Sequence, residues 1–467
     1  MSRPSPGKRA AGLTTLLVVS LLFMGGARAR AAEGAPTGAK VTPSVSKLAP
    51  SVTENGARIE EYTLPTPYSG PYALAVGDDG IVWVTLMAGN SLGRFDPVSG
   101  EYREYRIPST QDLPEVEWKY DPQNRTMPAE TVTNYSVGNP GQVTIAKDGM
   151  VWLVTLLGNS LVRFDPATEV FTEYLLPTPN SQPYDLAAAA DGRIWFVAKN
   201  LGAMGYLDPA TQRVVEIPLG EGAQPMGIAI DTSGNVWVGD VSGNYLGRYE
   251  PSTKKFRTFP INMTNAQPGM MRFDSDGRLW FCQPRTKQVG VLIPDPGIYS
   301  MVEVPGYNTT PQAVALVANA ALWMVDSMMN HVGRFDLVKL RWDMVELPTG
   351  GAQPMDIDVD QQGNLWVTEN DRNANKIARL FADTLKETAN FGVGEPTGGH
   401  QHGGGGDPAP LTTPQAPQAA AHATDAHTTD SEAGGAGVMI LVVGAIVGVI
   451  AYSGWRWRRM KAKESSK

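Results

Sequence analysis

The sequence predicts an all-β fold, a seven-bladed β-propeller, on three observations. Tryptophan recurs at Trp83, Trp152, Trp195, Trp237, Trp280, Trp323 and Trp366, spaced by 69, 43, 42, 43, 43 and 43 residues. A proline stands twelve residues before each: Pro71, Pro140, Pro183, Pro225, Pro268, Pro311 and Pro354. Each repeat divides into four short runs punctuated by Gly, Asp and Pro, with no helical period. A unit near 43 residues is the length of a four-stranded blade.

The first complete unit shows the grammar. Tyr72–Gly77 is a strand, followed by the turn Asp78-Asp79-Gly80. Ile81–Met87 is the second strand and carries the tryptophan. Ser91–Phe95 is the third, Asp96-Pro97 turns, and Glu101–Ile107 is the fourth. Short runs bounded by turn residues are hairpin signals. Later fourth strands begin near Val170, Arg213, Lys255, Tyr299 and Arg341. One further fourth strand, Ile59–Leu64, precedes the first unit. It is predicted to pair beside Lys376–Phe381 and complete the last blade, so that the ring closes without a free edge. The long first spacing places an insertion at about 108–138, with Trp118, Tyr120 and Tyr135, between a fourth strand and the next first strand.

The ends read as export and anchoring signals. Arg3, Lys8 and Arg9 precede an apolar run from Ala10 to Gly26, then Ala29-Arg30-Ala31: a signal peptide over 1–31. A linker over 32–56 leads to the propeller, 57–391. Residues 392–435 are a Gly/Pro-rich tether containing His400, His402, His422 and His427, too polar to bury a core. Ala436–Trp455 carries no charge and, at about 20 residues, matches a bilayer core. Arg456, Arg458, Arg459, Lys461 and Lys463 follow, so the tail 456–467 is predicted to be cytoplasmic and the propeller extracytoplasmic.

Composition narrows function. The 467 residues include 50 Gly and 36 Pro, suiting dense turns, and one cysteine, Cys282, which lies in an apolar strand and forms no intrachain disulfide. The net charge is −8, yet residues 1–31 and 456–467 carry +5 each, leaving −18 between them. An acidic body excludes nucleic acid as the expected partner. No haem-attachment or phosphate-loop motif occurs, so no cofactor is assigned. The partners expected are an extracytoplasmic ligand or protein, and the membrane through the C-terminal helix.

Propeller geometry says where function lies. The starts of first strands, the ends of second strands, the second-to-third loops and the blade connections share one face around the channel mouth. After the prolines stand Tyr72, Gly141, Tyr184, Met226, Gly269, Gln312 and Met355. Three after the tryptophans stand Leu86, Thr155, Ala198, Asp240, Gln283, Asp326 and Glu369. Tyr72, Tyr184, Met226, Gln312 and Met355 are candidate binding residues, with His331, the only histidine of the repeats, in a second-to-third loop. Asp240, Asp326 and Glu369 could hold Mg²⁺ or Ca²⁺, or could cap loop N–H groups. Arg94, Arg163, Arg248 and Arg334, with Asp96, Asp165 and Asp336 two residues later, read as structural pairing. Met226, Met270, Met271, Met328, Met329 and Met355 crowd the later blades; packing accounts for such residues, and a soft-metal site is the alternative.

Leu176-Pro177-Thr178-Pro179, Asp191-Gly192-Arg193-Ile194-Trp195-Phe196 and Asn90-Ser91-Leu92-Gly93-Arg94-Phe95 resemble the streptogramin B lyase (virginiamycin B lyase) family, over about 57–381. The resemblance implies a propeller, and an enzyme that opens a cyclic depsipeptide by elimination with Mg²⁺ and a histidine base. It also implies Glu-Pro-His in the last blade, a carboxylate three after its tryptophan, and Pro-His in the blade before. This chain has Gln353-Pro354-Met355 and Pro311-Gln312; Glu369 alone matches. The expectation is therefore a recognition module, with a metal-dependent lyase or hydrolase using the mouth carboxylates as the alternative.

Overall fold

The computed structural model describes residues 31–33, 45–107, 115–116, 135–136, 138–317 and 320–386. They form seven antiparallel sheets of at least four strands, in which the four strands of each of blades 1 to 6 follow chain order, together with one two-stranded ladder. Blade 1 comprises Pro71–Val76, Val82–Leu86, Ser91–Phe95 and Tyr102–Arg106. These bounds lie within a residue or so of those the turns predict. Blades 2 to 6 repeat the pattern, and blade 7 holds Pro354–Val359, Leu365–Glu369 and Lys376–Phe381.

Ring closure is as expected. Arg58–Thr63 runs antiparallel to Lys376–Phe381, with Thr63 opposite Lys376 and Arg58 opposite Phe381. Tyr62 packs on Phe95 at 4.8 Å and on Trp366 at 5.8 Å between ring centroids. The closing strand therefore ties the end of the chain to blade 1. Its outer edge is covered by Ser46–Lys47 and Ser51–Val52, which blunts a row of unpaired backbone groups. Ala31–Glu33 lies likewise on the outer strand of blade 2.

The proline opens the first strand of most blades, where its missing N–H costs no ladder bond. The tryptophan one strand on is buried between sheets. Trp83 meets Phe164 of blade 2 at 5.4 Å, and their cluster draws on both blades. Three indole N–H groups donate to an aspartate six residues earlier: Trp237 to Asp231, Trp280 to Asp274 and Trp366 to Asp360. Among the repeated arginines, Arg248 lies over the Trp237 ring and binds Glu250, and Arg334 is 3.7 Å from Asp336, so these serve the blades.

Blade 5 departs from the pattern. Its first strand is only Met271–Phe273. Pro268 lies outside it, although Gly269 N–H donates to Cys282 O and Cys282 N–H to Met270 O. The side chain missing at Gly269 leaves a gap on the channel side there. Of the insertion, the structure describes one small ladder, Glu115–Val116 with Tyr135–Ser136. The predicted signal peptide (apart from Ala31), the tether, the helix 436–455 and the basic tail lie outside the described residues. Among those described, no helix is long and apolar enough to cross a membrane.

Candidate functional site

At one end of the channel the first strands bring Tyr72, Tyr184, Met226, Gln312 and Met355 to the wall of a single cavity of about 80 Å³. These are five of the positions that follow the prolines. At blade 2 Gly141 has no side chain, and Gln142 lines the wall instead. At blade 5 Gly269 has no side chain, and Met270 and Cys282 line the cavity instead. The Tyr72 and Tyr184 hydroxyls stand 3.3 Å apart. Burial pushes both phenols up, so both stay protonated at neutral pH.

An open groove of about 550 Å³ adjoins the cavity and shares Gln267, Pro284 and Gln312 with it. It runs between blades 5 and 6, walled by Arg285, Lys287, Thr309, Thr310, Ser327 and Met328. Lys287 lies over the Tyr307 ring at 5.3 Å, and Tyr307 is 85% exposed. Arg285 is exposed, with no ion-pair or hydrogen-bond partner among the described residues. The groove thus offers two cations and exposed apolar surface on a body whose net charge is negative.

His331 falls elsewhere. It is the first residue of the third strand of blade 6, not a loop residue, because it pairs with Asp326 and Glu346 across both ladders. It is not on the cavity wall, and its Nδ1 is buried without a hydrogen-bond partner.

The three carboxylates are fully buried behind the mouth rather than gathered in it. Asp240 Oδ1 accepts from the N–H groups of Gln224, Ser242 and Gly243. Asp326 Oδ1 accepts from those of Thr310, Met328 and Met329. Both therefore fasten a second-to-third loop to a blade connection. Glu369 is different: neither carboxyl oxygen has a hydrogen-bond partner. Beside it Glu61 accepts from Thr349 N–H and Oγ1–H and from Lys376 Nζ. Among the described residues no group of three or more His, Cys, Asp and Glu is arranged to hold a metal ion. Residues on blades 4, 6 and 7 that are spent on loop N–H groups, or sit beside an ammonium, do not fit one shared Mg²⁺ or Ca²⁺.

Desolvation first, and the Glu61 charge second, push the Glu369 carboxyl from its ordinary 4.5 up to about 9, against the pull of Lys376. The folded protein holds a proton that the unfolded chain releases, so this group makes stability fall as pH rises from about 4.5 to about 9. Glu369→Gln is expected to change stability by less than about 1 kcal/mol at pH 5 and to stabilise by roughly 4–5 kcal/mol at pH 8. Urea unfolding at the two pH values checks this; a gain equal at both would show that the effect is not protonic.

Below the mouth the channel carries charges that the spacing of tryptophans did not reveal. Asp185 accepts from Leu186 and Ile228 N–H, bridging the first strands of blades 3 and 4. Asp356 and Asp358 accept from Leu74 and Val76 N–H, bridging blades 7 and 1. Burial raises Asp185 to about 6 and Asp356 to about 7, and raises Asp358 as well. The Arg272 guanidinium of blade 5 pulls all three back down.

The family description "Virginiamycin B lyase family" matches residues 126–397. Among solved structures, a streptogramin B lyase is similar with a TM-score of 0.60 and 25% identity, over 69% of this chain and 97% of that one. The virginiamycin B lyase from Staphylococcus aureus is similar at 0.59 and 23%, over 69% and 98%. The extracellular domain of a putative one-component system from B. thetaiotaomicron shares the fold at 0.51 and 15%, over 73% and 47%. No curated protein matches. With seven closed blades and a family match across more than half its length, the chain belongs to the virginiamycin B lyase family.

Proposed function

We propose that this chain is a membrane-tethered, extracytoplasmic recognition propeller without elimination activity, whose ligand lies over the channel mouth and the adjoining groove. One observation carries the reading: no side chain on the cavity wall can take a carbon-bound proton. Met355 and Gln312 stand where the family resemblance implies histidine, and a thioether and a neutral amide are not bases. The tyrosines are held protonated by burial, so they do not substitute. A ligand with an acidic group would meet Arg285 and Lys287, and an apolar part would meet Tyr307 and Met328. The signal peptide and the charge-free segment 436–455 support placement on the outer side of a membrane.

The test is incubation of the full-length protein with a cyclic streptogramin B and Mg²⁺. An eliminated, ring-opened product keeps the mass of the ring, so chromatography must separate the two. No conversion is expected. Ring opening that disappears in Glu369→Gln would overturn the reading. Protease added outside intact cells should release the propeller; full protection of the chain would overturn its placement.

A further inference from the structure

We propose that the channel mouth is a site for a soft monovalent cation, Cu(I), held by the thioether sulfurs of Met226, Met270 and Met355 with the sulfur of Cys282.

Size favours an ion. A cavity of about 80 Å³ holds roughly two or three waters. Organic ligands occupy pockets of about 300–1,000 Å³. The cavity fits an ion or a very small group, whereas the neighbouring groove fits a larger ligand.

The donor set favours a soft one. Four sulfur-bearing side chains from blades 4, 5 and 7 share that wall, and no carboxylate does. Soft thioether and thiol donors select Cu(I), while Mg²⁺ and Ca²⁺ require hard oxygen ligands. A thioether carries no proton to lose, so three of the four donors bind without acid–base cost.

Placement supports the same reading. Packing methionines are recognisable here: Met204, Met271 and Met324 are fully buried inside hydrophobic clusters. Met226 and Met355 are partly exposed, belong to no hydrophobic cluster and face the cavity from first strands, whereas Met270 and Cys282 line it while also belonging to clusters of buried residues. Cys282 lies on a second strand, normally screened by the first. It is fully buried, and Gly269 leaves open space in front of it: an added Cβ there would meet only the Cys282 carbonyl oxygen, at 3.9 Å. The side chain missing at Gly269 thus leaves room beside Cys282 on the wall of blade 5.

The experiment is anaerobic titration of the full-length protein with Cu(I) against a chromogenic Cu(I) chelator, with Ag(I) as an oxidation-resistant probe. One equivalent should be retained, with sulfur scatterers in X-ray absorption and a raised unfolding temperature. The double variant Met226→Leu/Met355→Leu conserves volume, so it should fold, and should lose at least about 100-fold in affinity. Cys282→Ser should weaken binding, and the packing control Met204→Leu should leave it unchanged. Gly269→Leu, which fills the gap without touching a donor, should also weaken it. Failure to retain Cu(I) against the chelator, nitrogen and oxygen scattering alone, or equal retention by the double variant would each overturn the site. None of these outcomes bears on the elimination assay, so the two readings fail separately.

Discussion

A chain that begins at Leu64 should not form a stable propeller. It lacks Arg58–Thr63, so Lys376–Phe381 is left with an open edge and the Tyr62 contacts to Phe95 and Trp366 are lost. The charge pair Lys376–Glu61 is lost with them, leaving Lys376 on the opened edge with Glu369 opposite it. Burying each large apolar side chain contributes about 1.5–3 kcal/mol, and the lost strand buries Ile59 and Tyr62 besides its ladder bonds. Net stabilities are about 5–15 kcal/mol, so the loss is of the order of the whole. The antiparallel register suggests a rescue. Because Arg58 lies opposite Phe381, residues 57–64 can follow 381 through a short hairpin in a permuted chain. The deletion should show protease sensitivity and lost near-ultraviolet dichroism, and the permuted chain should recover both. A folded, protease-resistant deletion would show that closure is dispensable.

Arg272→Leu should be the most damaging single substitution in the channel, and its effect should depend on pH. Arg272 is a cation opposing Asp185, Asp356 and Asp358. Each aspartate also spans two blades through backbone N–H groups, so it cannot swing away without releasing the first strands. Without the guanidinium their charged forms lose an attraction on the order of 3 kcal/mol. All three already titrate above the ordinary carboxylate range, so the folded state holds protons that the unfolded chain releases. Stability therefore declines as pH rises through about 6 for Asp185 and about 7 for Asp356. In the variant these values climb further and the decline extends to higher pH. The measured deficit should be small at pH 5 and largest at pH 8. An equal deficit at both would mean that Arg272 acts by packing alone.

Part of what the structure uses was present in the sequence and not read. Asn90, Asn159, Asn244 and Asn330 stand seven residues after Trp83, Trp152, Trp237 and Trp323. Each adopts a left-handed backbone, with φ between 47° and 59°, which asparagine tolerates better than most residues. Asn159 Oδ1 accepts from Ser181 N–H, and Asn330 Oδ1 from Ala352 N–H, so each clips a blade to the connection that follows. The aspartates six before Trp237, Trp280 and Trp366 are a second periodic signal of this kind. Asp240 and Asp326 were legible as end-of-strand acids, but whether they faced an ion or loop N–H groups was not.

The sequence alone determined the number of blades, the residue each blade presents to its neighbour, and the way the ring closes. Blade architecture is local: a period of four hairpin-linked strands repeats along the chain, and one surplus strand at the start has only one vacant place to go. The tertiary structure alone decided which side chains meet. Met226, Met270, Cys282 and Met355 share a wall, and Arg272 serves aspartates of blades 3 and 7. These meetings depend on how the first strands converge on the channel and on the side chains missing at Gly141 and Gly269, which leave Gln142, Met270 and Cys282 on the wall. A period along the chain fixes position around the ring; it does not fix how far each side chain reaches toward the axis.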